Sequence, residues 1–114
     1  MDHTEKTQTE QLTDLLLKPA RTGVYLSKHD IVAIALALDS AVTVGERKMM
    51  FKDLFKLIDT EERLIHMVDA IRHVIEMKID EYDALITIYP ACEHLFDERK
   101  VRANETLTHL EKIK

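Results

Sequence analysis

The run Ser27-Lys-His-Asp30, leading directly into the eight consecutive apolar residues Ile31 to Leu38, constrains the fold of this chain more than any other feature. Ser27 is a good helix N-cap, and Asp30 three positions later is an acidic variant of the capping-box partner. Leu26, just before the cap, stands where it can staple onto Ile31. A helix is therefore expected to begin here and run to about Val42. Along it Ile31, Ile34, Ala35, Leu38 and Val42 make one apolar stripe, while Ala33, Ala37 and Ala41 make a second face of small residues at i, i+4 spacing. Both faces are expected to be buried. The large one suits the chain's own core, and the alanine face suits the close approach of another helix, from within the chain or from a second copy. Val24 and Tyr25, just upstream, have strand character, but two residues make no sheet.

At 114 residues and 46% hydrophobic content the chain falls near the usual single-domain size and can bury a real core. One helical domain over 1–114 is expected, with residues 1–6, polar and mixed in charge, frayed. Two Gly, two Pro, three Tyr, three Phe and no Trp are too few turn-formers and aromatics for a many-stranded sheet. The fold class is accordingly all-α, a compact bundle of four to five antiparallel helices. Cys92, the single cysteine, has no partner for an intramolecular disulfide. The apolar runs are too short and too closely flanked by charge to span a bilayer or act as a signal peptide, so a cytoplasmic protein without a membrane partner is expected.

Elsewhere the same rules place further helices. Leu12, Leu15 and Leu16 mark a short amphipathic helix over Thr7 to Lys18, closed by Pro19 and a loop Ala20-Arg-Thr-Gly23. Thr43-Val-Gly-Glu46 reads as a break and restart, with Thr43 capping and Glu46 reaching back, and the next helix runs to about Ile58 over a stripe of Phe51, Leu54, Phe55 and Ile58, with Met50 beside it. Asp59-Thr-Glu-Glu62 caps a long helix that buries Leu64, Val68, Ile71, Ile75 and Ile79. Its pattern persists through Tyr82, Leu85, Ile86 and Tyr89, although Asp80 with Asp83 could restart a separate helix. Pro90 fits the first turn of a last helix with core residues Cys92, Phe96, Ala103, Leu107 and Leu110.

The net charge of −5 is unevenly spread: residues 19–58 carry +2 and residues 59–83 carry −5. Such polarity steers association more than it holds a fold. Within the acidic stretch Glu62, His66, Asp69, His73, Glu76 and Asp80 recur every three or four residues, the spacing at which carboxylate and imidazole ligands reach one ion in metal-binding bundles. At about 100° per residue, however, this stripe lies about 160° from the Leu64/Val68/Ile71/Ile75 stripe, so it points away from the core. A solvated face with Glu62/His66 and Asp69/His73 pairs is the expectation, and no metal ligand is assigned.

Other features of the sequence bear on chemistry. Residues 31–42, a short turn and a helix over 46–58 have about the proportions of a helix-turn-helix, with Arg47 and with Lys48, Lys52 and Lys56 aligned at i, i+4. Lysine at that spacing is also the ordinary dressing of an amphipathic helix, and a sequence pI of about 5.6 lacks the basic balance of a minimal nucleic-acid reader. Cys92, in the first turn of the last helix, gains some thiolate character from exposed N–H groups, but it falls on the apolar stripe and is read as a buried packing residue. His94, two residues on, is not placed to act as its base. His29 is a first-turn surface residue, and His3 and His109 lie in segments expected to be exposed. No phosphate-binding glycine loop, nucleophile elbow or catalytic triad can be read, so neither an enzyme nor a cofactor is expected.

The expected function is a non-enzymatic interaction or adaptor module, a homodimer or the partner of another protein. Three features motivate it: the two apolar faces of the 28–42 helix, the adaptable side chains of Met49, Met50, Met67 and Met77, and the polarised charge. A metal- or small-ligand-binding bundle and a helix-turn-helix-like nucleic-acid binder are the alternatives.

Overall fold

In the computed structural model, which describes residues 8–113, every regular element is helical, and the class is all-α. Six α-helices follow in order: α1 (Gln8–Leu17), α2 (Pro19–Thr22), α3 (Lys28–Ala37), α4 (Arg47–Phe55), α5 (Glu61–Ile88) and α6 (Glu93–Ile113), with a single 3₁₀ turn, Pro90–Cys92, between the last two. No helix among the described residues is long and apolar enough to cross a membrane. The expected start of the first helix at Thr7, the frayed residues 1–6 and His3 all lie outside the described residues.

The caps explain where the helices begin. At α3 the capping box is complete: the Asp30 N–H donates to Ser27 Oγ at 3.1 Å, and the Ser27 N–H donates to the Asp30 carboxylate at 2.8 Å. At α5 the Thr60 hydroxyl accepts from the Arg63 N–H at 3.1 Å, and the helix then runs unbroken through Asp80 and Asp83 to Ile88. At α4 the expected cap does not form. Glu46, not Thr43, is the N-cap residue, and its side chain makes no capping bond.

Four expectations are corrected. The helix opened by Ser27 stops at Ala37 rather than Val42, because Asp39 turns into the left-handed region with φ 54°, a conformation Asp tolerates better than most residues. Arg63 of α5 then holds the end in place, donating to the Leu38 carbonyl at 3.2 Å and the Ser40 hydroxyl at 3.0 Å. The α4 helix ends at Phe55, short of Ile58. Residues 19–22, expected as loop, form the short helix α2, which Pro19 opens and Gly23 closes with φ 91°. Finally, the alanine face of α3 is not buried: Ala33, Ala37 and Ala41 are all exposed.

The core is one cluster fed by every long helix: Leu12 and Leu16 of α1, Ile31, Ile34 and Ala35 of α3, Met50, Phe51, Leu54 and Phe55 of α4, Met67, Val68, Ile71 and Ile75 of α5, and Ala103 and Leu110 of α6. The helices α5 and α6 form an antiparallel hairpin, stitched by Arg72 to Glu111 at 2.8 Å, by Lys100 to Asp83 and by stacked Tyr82 and Phe96 rings 5.6 Å apart. Ion pairs this exposed contribute roughly 0–1 kcal/mol each, so the apolar contacts carry the packing.

The start of the chain is fastened to this hairpin at Gly23. The Tyr82 hydroxyl donates to the Gly23 carbonyl at 2.6 Å, and the Thr106 hydroxyl donates to the carbonyl of Thr22 at 3.0 Å. A Cβ at position 23 would collide with the carbonyl oxygen of Arg99 and the backbone of Ala103. Glycine is needed here twice over, for its φ and for its missing side chain. Gly23→Ala is expected to lower unfolding stability by at least about 2 kcal/mol, the left-handed penalty plus the backbone displacement. Urea denaturation checks this, and a loss no larger than that of Gly45→Ala, where a Cβ meets nothing within 4 Å, would refute it.

Candidate functional site

The packing of α3 against α5 leaves a groove whose floor is small and apolar. Because Ile31, Ile34, Ala35 and Leu38 point into the core, the opposite side of α3 presents Ala33, Leu36 and Ala37 to solvent, and Leu36 is 62% exposed. Along the flank of α5 nearest to it lie Ala70, Val74 and Met77. The hollow between the two helices measures about 290 Å³. Met77, 52% exposed, adds apolar surface to this edge.

Charged groups of both signs rim this floor. Asp30 of α3 pairs with Lys78 of α5 at 3.0 Å, and His29, His73 and Glu81 complete the edge. Burial pushes the Asp30 carboxyl upward, but the Ser27 N–H and the Lys78 ammonium more than offset this and hold it below the ordinary carboxylate range. One carboxylate thus caps α3 and ties it to α5.

The residues singled out in the sequence are distributed differently. Glu62, His66, Asp69, His73, Glu76 and Asp80 all lie exposed on α5, as the helical angle requires. Two of the carboxylates are drawn to Arg72, Asp69 at 4.0 Å and Glu76 at 3.6 Å. Among the described residues no group of three His, Cys, Asp or Glu side chains converges so as to hold a metal ion.

Of the basic residues on α4, Arg47 turns inward. It donates to the carbonyls of Leu26 at 2.8 Å and Leu17 at 3.3 Å, and its guanidinium lies 4.4 Å from the centre of the Tyr25 ring. Lys48 and Lys52 stand beside Thr9, Glu10 and Thr13 of α1, and Lys56 is 3.9 Å from Asp53. Residues 38–46 join α3 to α4, a longer connection than the roughly three- or four-residue turn of a helix-turn-helix.

Cys92 is exposed rather than buried. It sits in the 3₁₀ turn at the tip of the α5–α6 hairpin, where among the described residues no third helix arrives to cover it. His94 faces Glu98 at 3.7 Å. His29 and His109 are exposed, as expected. Met50 and Met67 are buried, whereas Met49 and Met77 are exposed.

The part of the groove that sequence reasoning missed is the α5 side. Ala70, His73 and Met77 share a flank at i, i+3 and i+7, but they lie between the core stripe and the charged stripe, and periodicity alone does not say which neighbour covers an intermediate flank. Comparison with protein-family models, curated proteins and solved structures finds no match for this chain.

The Asp30 pairing yields a pH test. A carboxylate with a lowered folded-state pKa contributes stability above its unfolded pKa and loses it as pH falls through the folded value. Asp30→Ala is expected to cost about 1 kcal/mol or more at neutral pH, and the gap from the native chain should narrow as pH falls below about 4. Urea unfolding at pH 7 and pH 3 decides it. An equal gap at both values would mean that the charged form of Asp30 contributes nothing.

Proposed function

We propose that this chain is a non-enzymatic interaction module that pairs with a second copy of itself through the α3/α5 groove. The observation that carries this reading is the uncovered alanine side of α3, with Ala33 and Ala37 exposed beside Leu36 and Met77 and no helix of the described residues over them. Small side chains let two backbones approach closely, and an adaptable methionine at the edge fills what gaps remain.

The occupant follows from the rim. In a twofold pairing the same patch meets itself, so each charged group faces the region of its counterpart's own rim. A rim holding Asp30 and Glu81 together with Lys78, His29 and His73 carries both signs and can complement itself. A purely acidic or purely basic rim would instead favour a partner of opposite charge. A cytoplasmic setting fits an exposed, unpaired Cys92.

The test is Ala37→Glu. Because Ala37 is exposed, the change should shift folding stability by no more than about 0.5 kcal/mol, yet it places a charge on the floor of the groove. Native mass spectrometry with light scattering should show a dimer for the native chain and a folded monomer for the variant, with the helical circular dichroism retained. A native chain that is monomeric, or a variant that stays dimeric, would sink the proposal. A stoichiometric metal adduct would point to the ligand-binding alternative, and steeply salt-dependent DNA binding lost on replacing Lys48 and Lys52 would point to the nucleic-acid one.

A further inference from the structure

Six arginines occur in the chain, and they divide evenly. Arg47, Arg63 and Arg72 are partly buried and engaged by backbone carbonyls, a serine hydroxyl or carboxylates. The other three, Arg21, Arg99 and Arg102, are exposed, and their side chains make no hydrogen bond or ion pair among the described residues. They line two neighbouring hollows of a cleft between α2 and α6, Arg21 and Arg102 the first and Arg99 and Arg102 the second.

The cleft has two chemically different parts. One hollow of about 560 Å³ is lined by Arg21, Arg102 and His109 among others. It adjoins a second of about 410 Å³, lined by Arg99 and Arg102 together with Tyr25, Tyr82 and Leu95. Ala20 and Arg102 belong to both. Tyr25 and Leu95 are large apolar side chains left 53% and 46% exposed, and neither lines the α3/α5 groove. Volumes of a few hundred Å³ are those of small-molecule sites.

We infer that this cleft binds a small organic phosphate, its phosphoryl group held by Arg21, Arg99 and Arg102 and its planar or apolar body lying against Tyr25, Tyr82 and Leu95. Guanidinium groups offer paired N–H donors that match phosphate oxygens, which isolated lysines do not. Their placement is prearranged, because the Tyr82 and Thr106 hydroxyls and the side-chain-free Gly23 fix α2 on α6 and so bring Arg21 up to Arg102. Asp14, Glu98 and Glu105 also line the walls. Three carboxylates offset three guanidinium charges, so net charge attracts no extended polyanion such as nucleic acid, and a compact phosphate is held through the guanidinium donors themselves.

The inference is independent of self-association, since it uses neither α3 nor the groove. Phenyl phosphate is the probe, with inorganic phosphate and phenol as its two halves, titrated into the full chain labelled with nitrogen-15 and followed by heteronuclear NMR. Phenyl phosphate should bind about tenfold or more tightly than either half and shift the side-chain Nε–H signals of Arg21, Arg99 and Arg102. Arg102→Ala and Arg21→Ala should each weaken it about tenfold while leaving the rest of the spectrum in place. Binding no tighter than that of phosphate or phenol, shifts scattered away from the cleft, or affinity unchanged in both variants would overturn the inference.

Discussion

The seating of Gly23 on α6 holds the two ends of this chain together. It joins residues far apart in sequence, Thr22 with Thr106 and Gly23 with Tyr82, through hydrogen bonds at 3.0 and 2.6 Å. It works only because one backbone can touch another where Gly23 has no side chain and Ala103 has a small one. Everything upstream depends on it. The short helix α2 is too small to be stable alone, and its position fixes where α1 enters the core and where Arg21 stands relative to Arg102.

A second organising theme is how this chain uses arginine. Three guanidinium groups serve the fold where a helix must end or a loop must turn. Arg47 holds the carbonyls of Leu17 and Leu26, Arg63 holds the end of α3, and Arg72 gathers Asp69, Glu76 and Glu111 across the α5–α6 hairpin. A planar, multiply donating cation suits such work, because it satisfies several acceptors at fixed angles at once. The three arginines left over share one cleft. Some of the exposed apolar surface lies beside these features, Leu36 and Met77 near the α3/α5 groove and Tyr25 and Leu95 near the arginine cleft.

Much of this architecture is written locally. The Ser27–Asp30 capping box, the Thr60 cap, the break at Pro90 and the stripes Ile31/Ile34/Ala35/Leu38 and Val68/Ile71/Ile75 all appear where their spacing puts them. Errors cluster where a distant residue intervenes. The helix after Ser27 looked long enough to reach Val42, but Asp39 and the reach of Arg63 from α5 end it at Ala37. Cys92 fell on an apolar stripe, yet a stripe buries a residue only where another element lies opposite, and none does at the hairpin tip.

Sequence by itself determined that the chain is all-helical, where most helices begin and much of the core stripe on each, because caps and apolar periodicity act over three or four residues and need no partner. Tertiary structure alone decided which second faces stay uncovered and which charged residues meet. The alanine side of α3 could have been buried as readily as exposed, and Arg21, Arg99 and Arg102 share no local pattern. Their convergence depends on how α2 lies across α6, and that is set by a contact between residues 22–23 and 99–106 to which no short-range signal corresponds.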